Sequence, residues 1–166
     1  MIIRKAEPKD AQAIAQINVD TWKDTYRGLI DDAVLNERKV DEKRIMGWLN
    51  RIQDPSYTVL VYEDKDILGY LWAGPARDAY QIKNEVYALY VQSNNQKKGI
   101  GTKLLEKYKQ QIKGDGFYLY ALKNNTKASC FYEKNGGVIW HEAARKIEDK
   151  NTQIEEICYV FKRDEA

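Results

Sequence analysis

An unbroken apolar run over residues 86–91 passes through a polar turn holding Gly99 and Gly101 into a stretch whose Ile100, Leu104, Leu105, Tyr108 and Ile112 share one helical face. Gly114, Asp115 and Gly116 then break the helix, and a second apolar run covers residues 117–122. Strand, helix and strand in that order close as a right-handed crossover between two parallel strands. A strand apolar on both faces belongs in the middle of a sheet covered on both sides. The chain is therefore expected to build an α/β fold around this unit.

Ahead of the crossover, residues 2–6 read as a short strand. Ala11, Ile14, Ala15, Ile17 and Val19 read as a helix reaching about Trp22, and residues 23–40 as a loop with a short helix. From Asp41 a helix carries Ile45, Trp48, Leu49 and Ile52 at i, i+3, i+4 and i+7, and Asp54 and Pro55 end it. Residues 57–63 and 67–73 form a hairpin about Asp64, Lys65 and Asp66. After the crossover come a helix over 126–134, closed by Asn135, Gly136 and Gly137, and strands over 138–141 and 154–161. An antiparallel front half joined to the crossover makes a mixed sheet with helices on both faces.

The 166 residues amount to one domain spanning 1–166, since domains run to roughly 150 residues. With 43% hydrophobic residues, the chain can hold a core without metal or disulfide support. Cys130 and Cys158 lack the density and spacing of a disulfide framework or a zinc site, and read as reduced packing residues. Basic and acidic residues nearly balance, 27 against 25, which excludes a general affinity for nucleic acid or acidic membranes. No signal-peptide pattern and no membrane-spanning apolar run is visible, so the cytoplasm is the expected location.

Within that balance, Lys97, Lys98, Lys103, Lys107, Lys109 and Lys113 face only Glu106 in opposition. They surround the turn Gln96, Lys97, Lys98, Gly99, Ile100, Gly101 and Thr102, which leads from the central strand into a helix N-terminus. Unpaired amides and the positive end of the helix dipole converge there, a geometry that binds phosphate. Glycine at 99 and 101 is expected to keep β-carbons out of an anion's way. Two phosphate motifs are excluded: no glycine stands at 96 to begin a P-loop, and Leu104 occupies the third glycine of a dinucleotide fingerprint.

The turn instead matches the pattern Q/R-x-x-G-x-G/A. With residues 85–105 around it and Asn125, Ala128, Phe131, Tyr132, Glu133, Lys134, Gly136 and Gly137 as a second block in the right order, the chain resembles the GNAT family of N-acetyltransferases over essentially its whole length. The resemblance implies a central, mostly antiparallel mixed sheet with a splayed central strand pair. It implies acetyl-coenzyme A as cosubstrate, no metal, and transfer of the acetyl group to a primary amine by direct attack in a ternary complex. A catalytically silent acyl-coenzyme A binding or sensing module on the same fold is the alternative.

Residue by residue, the resemblance assigns the coenzyme A diphosphate to the backbone of Gln96, Lys97, Lys98, Gly99, Ile100, Gly101 and Thr102, with the two lysines either touching phosphate or simply solvated. It assigns pantetheine to the main chain of Leu89 and Val91, the Val91 N–H polarising the thioester carbonyl. Asn125 either contacts the pantetheine arm or caps a helix. Tyr132 either protonates the departing thiolate or anchors its helix. An alkylammonium is only about one part in 2,500 neutral at pH 7, so a base or water chain is needed. Glu85, eleven positions before Gln96, is either that base or a solvated carboxylate at a strand start.

A Trp-x-x-x-Tyr-x-Gly stretch, Trp22, Tyr26, Arg27 and Gly28, lines the acceptor side in similar family members, although core packing accounts equally well for its aromatic residues. Asp31 and Asp32 read as a cationic-acceptor site or a helix cap, and His141 as a surface or packing residue. The expected acceptor is a small molecule. Dimerisation is common in the family, and no segment of this chain fixes a homodimer interface.

Overall fold

The computed structural model describes residues 1–78, 80–113, 115–141, 145–149 and 152–162, with the backbone alone for 145–149, 152 and 153. Strand β1 (Ile2–Lys5) leads through a 3-10 turn into α1 (Ala11–Tyr26), α2 (Asp32–Glu37) and α3 (Glu42–Gln53). Then come β2 (Thr58–Asp64), β3 (Asp66–Pro75), β4 (Asn84–Val91), α4 (Ile100–Gln111), β5 (Phe117–Leu122) and α5 (Thr126–Lys134). Strands β6 (Val138–Ile139), β7 (Arg145–Asp149) and β8 (Thr152–Phe161) close the order. The sheet runs β1-β2-β3-β4-β5-β8-β6, with β7 also paired to β8, and β4 with β5 is its parallel step.

Side chains alternate across the strands, so each face has its own core. Val59, Val61 and Tyr70 pack beneath α1 and α3 with Ile14, Ala15 and Trp48. Leu60, Leu71 and Leu119 pack on the other face with Leu104, Leu105 and Tyr132 of α4 and α5. The α1 end is fastened by buried Asp10, whose carboxylate accepts from Arg4 at 2.7 Å and from the Glu7 amide at 2.7 Å.

The central pair is splayed. Strands β4 and β5 pair only at Asn84 with Phe117 and Glu85 with Tyr118. Beyond those positions β4 follows β3 to Val91, while β5 follows β8 to Leu122. Because one flank of β4 is thus unpaired, its residues from Tyr87 onward are half-buried and not covered as the apolar run predicts.

Other departures have local causes. Helix α1 continues to Tyr26, past the expected end near Trp22, with the Thr21 and Thr25 hydroxyls bonded back to the carbonyls of Ile17 and Thr21 and the Trp22 and Tyr26 rings 4.7 Å apart. Strand β6 stops at Ile139, and polar β7 shows no apolar alternation that a sequence reading could find. Cys158 is buried as expected, but Cys130 is exposed on α5 and packs nothing away. Gly114, expected to help stop α4, lies outside the described residues.

Candidate active site

The open flank of β4 is the centre of the site. Gln92 N donates to Leu68 O at 2.9 Å, which fixes the alternation of the strand against β3. Gln92 and Tyr90 turn their main-chain groups toward β3, and Val91 and Leu89 turn theirs into the gap. The Gln96 side-chain amide donates to Val91 O at 3.1 Å on that open side. The gap therefore presents an unfinished strand edge.

At its mouth stands the start of α4. Lys97 and Gly99 both take positive φ, 61° and 79°, which bends the chain sharply into the helix. Lys103 N bonds Gly99 O at 3.0 Å, so the amides of Ile100, Gly101 and Thr102 belong to the first turn, which offers no acceptor inside the helix. No side chain caps them. Gln96, Lys97 and Lys98 are exposed, and Lys98 Nζ donates to Asn95 at 3.0 Å.

The two glycines have separate reasons. A Cβ on Gly99 meets nothing within 4 Å, so its need is the left-handed backbone. A Cβ on Gly101 would stand 2.9 Å from the Phe131 ring, so here the glycine admits α5 against α4 and does not clear room for an anion.

Helix α5 forms the other wall. Asn125 is its N-cap, Oδ1 accepting from Ala128 N at 3.1 Å. Tyr132 is buried, its ring 5.6 Å from that of Tyr159. Burial, then the Tyr90 and Tyr159 phenols, hold the Tyr132 hydroxyl well above the ordinary tyrosine range, so it keeps its proton. Tyr90 of β4 is pushed up to about 12, chiefly by burial and then by Tyr26. Tyr26 thus contributes to the raised value of Tyr90, and Tyr90 to that of Tyr132.

Glu85 lies elsewhere, at the closed end where β4 and β5 are still paired. It is 0% exposed. Its carboxylate accepts from Arg77 N at 3.0 Å, Arg77 Nε at 3.1 Å, Arg77 Nη2 at 2.5 Å and the Tyr118 hydroxyl at 3.1 Å. Both carboxylate oxygens accept from protein donors, and a group with no exposed surface is not the solvated carboxylate of the second reading.

On the α1 side, the Trp22 and Tyr26 rings meet at a tilt of 31°, and the Arg38 guanidinium covers the Trp22 ring at 4.2 Å. Arg27 is exposed and pairs with Asp24 at 3.5 Å. Gly28, at φ 82°, lets Leu29 N return to Tyr26 O at 2.9 Å. Ser93 Oγ donates to Asp24 at 2.5 Å and ties the end of α1 to the turn after β4. Asp31 caps α2 through Ala33 N at 2.8 Å, and His141 is exposed.

Three residues escaped sequence reasoning: Tyr90, raised by Tyr26 and itself raising Tyr132; Glu156 of β8, whose charge acts on both Tyr26 and Tyr90; and Arg38. Tyr90 was visible only as one residue of an apolar run. Among the described residues no His, Cys, Asp and Glu cluster could hold a metal, and no helix is long and apolar enough to cross a membrane.

Residues 54–136 match the family described as the acetyltransferase (GNAT) domain. The chain is 26% identical over 155 residues to the uncharacterized N-acetyltransferase YuaI of Bacillus subtilis, covering 92% of this chain and 84% of that one. It is 27% identical over 143 residues to the L-amino acid N-acyltransferase MnaT of Escherichia coli, covering 84% and 80%. In fold it is similar to the PaiA N-acetyltransferase of Thermoplasma acidophilum solved with coenzyme A, at a TM-score of 0.71 and 24% identity over 93% of this chain and 96% of that one.

Proposed function

The chain belongs to the GNAT acetyltransferase family and is an acetyl-coenzyme A-dependent acetyltransferase, and on that premise we propose that it acetylates the primary amine of a small molecule by direct attack in a ternary complex. The observation that carries this reading is the two-position pairing of β4 with β5, which leaves the Leu89 and Val91 main chain open beside the uncapped start of α4. These residues fit the ligand: an extended amide-bearing arm can complete the strand edge, and a diphosphate can take the amides of Ile100, Gly101 and Thr102. The backbone of Gln96, Lys97, Lys98 and Gly99 shapes that turn, the two lysines adding positive charge. Asn125 keeps its Nδ2 for the arm while Oδ1 caps α5.

The amine nitrogen attacks the thioester carbonyl, whose oxygen takes charge toward Val91 N–H. The carbon–sulfur bond then breaks, and the sulfur receives the Tyr132 phenol proton, which burial keeps in place until it is needed. Water at the mouth of the gap takes the ammonium proton, while Glu85 holds Arg77 and Tyr118 in position. Trp22, Tyr26, Arg27 and Gly28 form the acceptor wall. The name of the MnaT relative, an L-amino acid N-acyltransferase, supports a small acceptor. The test is thiol release from acetyl-coenzyme A across a panel of amines, with product masses. Turnover with small amines is expected; coenzyme A binding without turnover on any amine would leave a binding module.

A further inference from the structure

Arg38 is a cation in an unusual setting. Arg4 and Arg77 are each matched to carboxylates at 2.5–2.8 Å, but Arg38 has no carboxylate partner among the described residues. Its guanidinium lies over the Trp22 ring at 4.2 Å, and Nη2 donates to Asn18 Oδ1 at 3.2 Å. Nε is buried with no acceptor, a condition that costs stability unless a ligand answers it. Asn18 is held in turn by the Tyr70 hydroxyl, to which its Nδ2 donates at 2.9 Å. A charged fork pinned by a ring and an amide, with its Nε unanswered, is preorganised for a planar anion.

Its position points to which anion. Tyr26 and Tyr90 both sense the Arg38 charge, and Tyr90 is the residue before Val91 on the open strand. Arg44 adds a second positive charge to the same neighbourhood. Glu156 acts on the same two phenols with negative charge from β8. A ligand carrying a carboxylate and an amine finds opposite charges about one pair of phenols.

We propose that Arg38 is the carboxylate anchor of the acceptor site, so that the amine acetylated is that of an α-amino acid or an analogue retaining its carboxylate. The proposal rests on the acetyltransferase reading above and names its substrate class.

The test compares α-amino acids with their amides and their decarboxylated amines, in wild type, Arg38→Met and Arg38→Lys. Wild type should prefer the carboxylate-bearing member of each set. Arg38→Met should raise the amino-acid KM about 10- to 100-fold, the range for losing a charge-assisted bidentate contact, with little change for the amide. Arg38→Lys should recover part of it. Binding of the amino acid to the coenzyme A-loaded protein, by calorimetry, is measured in parallel, with melting curves to confirm folding. Wild type that acetylates amides and amino acids equally, or Arg38→Met that weakens both equally, overturns the proposal and leaves acetyl transfer standing. Arg38-dependent amino-acid binding without turnover upholds the anchor and removes the enzymatic reading. Neither binding nor turnover removes both.

Discussion

The carboxylate of Glu85 lies against the guanidinium of Arg77, Oε1 2.5 Å from Nη2, and the Tyr118 hydroxyl completes its surroundings at 3.1 Å. A carboxylate held this way orders the root of the gap, and we assign it to positioning and not to taking the substrate proton. Glu85→Gln should therefore leave the acidic limb of the kcat/KM pH profile where it is in wild type. Glu85→Ala, which strands the Arg77 and Tyr118 donors, should cost about 2 kcal/mol of stability in urea titrations. Loss of the acidic limb in Glu85→Gln would restore Glu85 as the base.

Tyr132→Phe should lower kcat about 100-fold while the acetyl-coenzyme A KM stays within about twofold, because the phenol proton matters at thiolate departure and the ring keeps its packing. Steady-state kinetics with a good amine acceptor decide it; unchanged kcat would leave Tyr132 as an anchor of α5 alone.

Gly101→Ala should destabilise the fold by about 1–3 kcal/mol, since its Cβ would press on the Phe131 ring at 2.9 Å. Phe131→Ala should relieve much of that penalty in the double variant. Gly99→Ala, strained only by its φ of 79°, should show no such coupling to Phe131. Denaturant midpoints of the single and double variants measure both.

Stability should decline as the solution becomes alkaline. Unfolded tyrosines ionise near pH 10, whereas folded Tyr90 retains its proton to about 12. Its contribution is whole below pH 10 and is lost as the pH climbs toward 12, because only the unfolded chain releases the proton. Urea midpoints at pH 8, 10 and 11.5 should fall in that order, and less steeply in Tyr90→Phe.

Much of this was legible in the chain itself. The crossover from the central strand into α4, the hairpin of β2 and β3, and the two-faced layering follow from apolar periodicity and glycine placement. The resemblance located the Gln96 to Thr102 turn and Tyr132, and the splay it implied is present. What periodicity could not convey is partnership across long separations. Arg77 reaches Glu85 from a loop, Phe131 explains Gly101 from another helix, and Arg38 joins Trp22 and Asn18 from just past the end of α2, in a stretch whose sequence resembles any solvated surface. Such pairings depend on tertiary placement, and β7 was missed for the related reason that its register is set by β8.

The two-position junction between β4 and β5 also has a mechanical consequence. It makes the sheet a pair of panels sharing a short hinge, and a molecule laid along the open seam acts as a splint. The Leu89 and Val91 amides should then exchange with deuterium faster than those of Tyr90 and Gln92, which face β3, in the ligand-free protein, and the difference should narrow when the splint is in place.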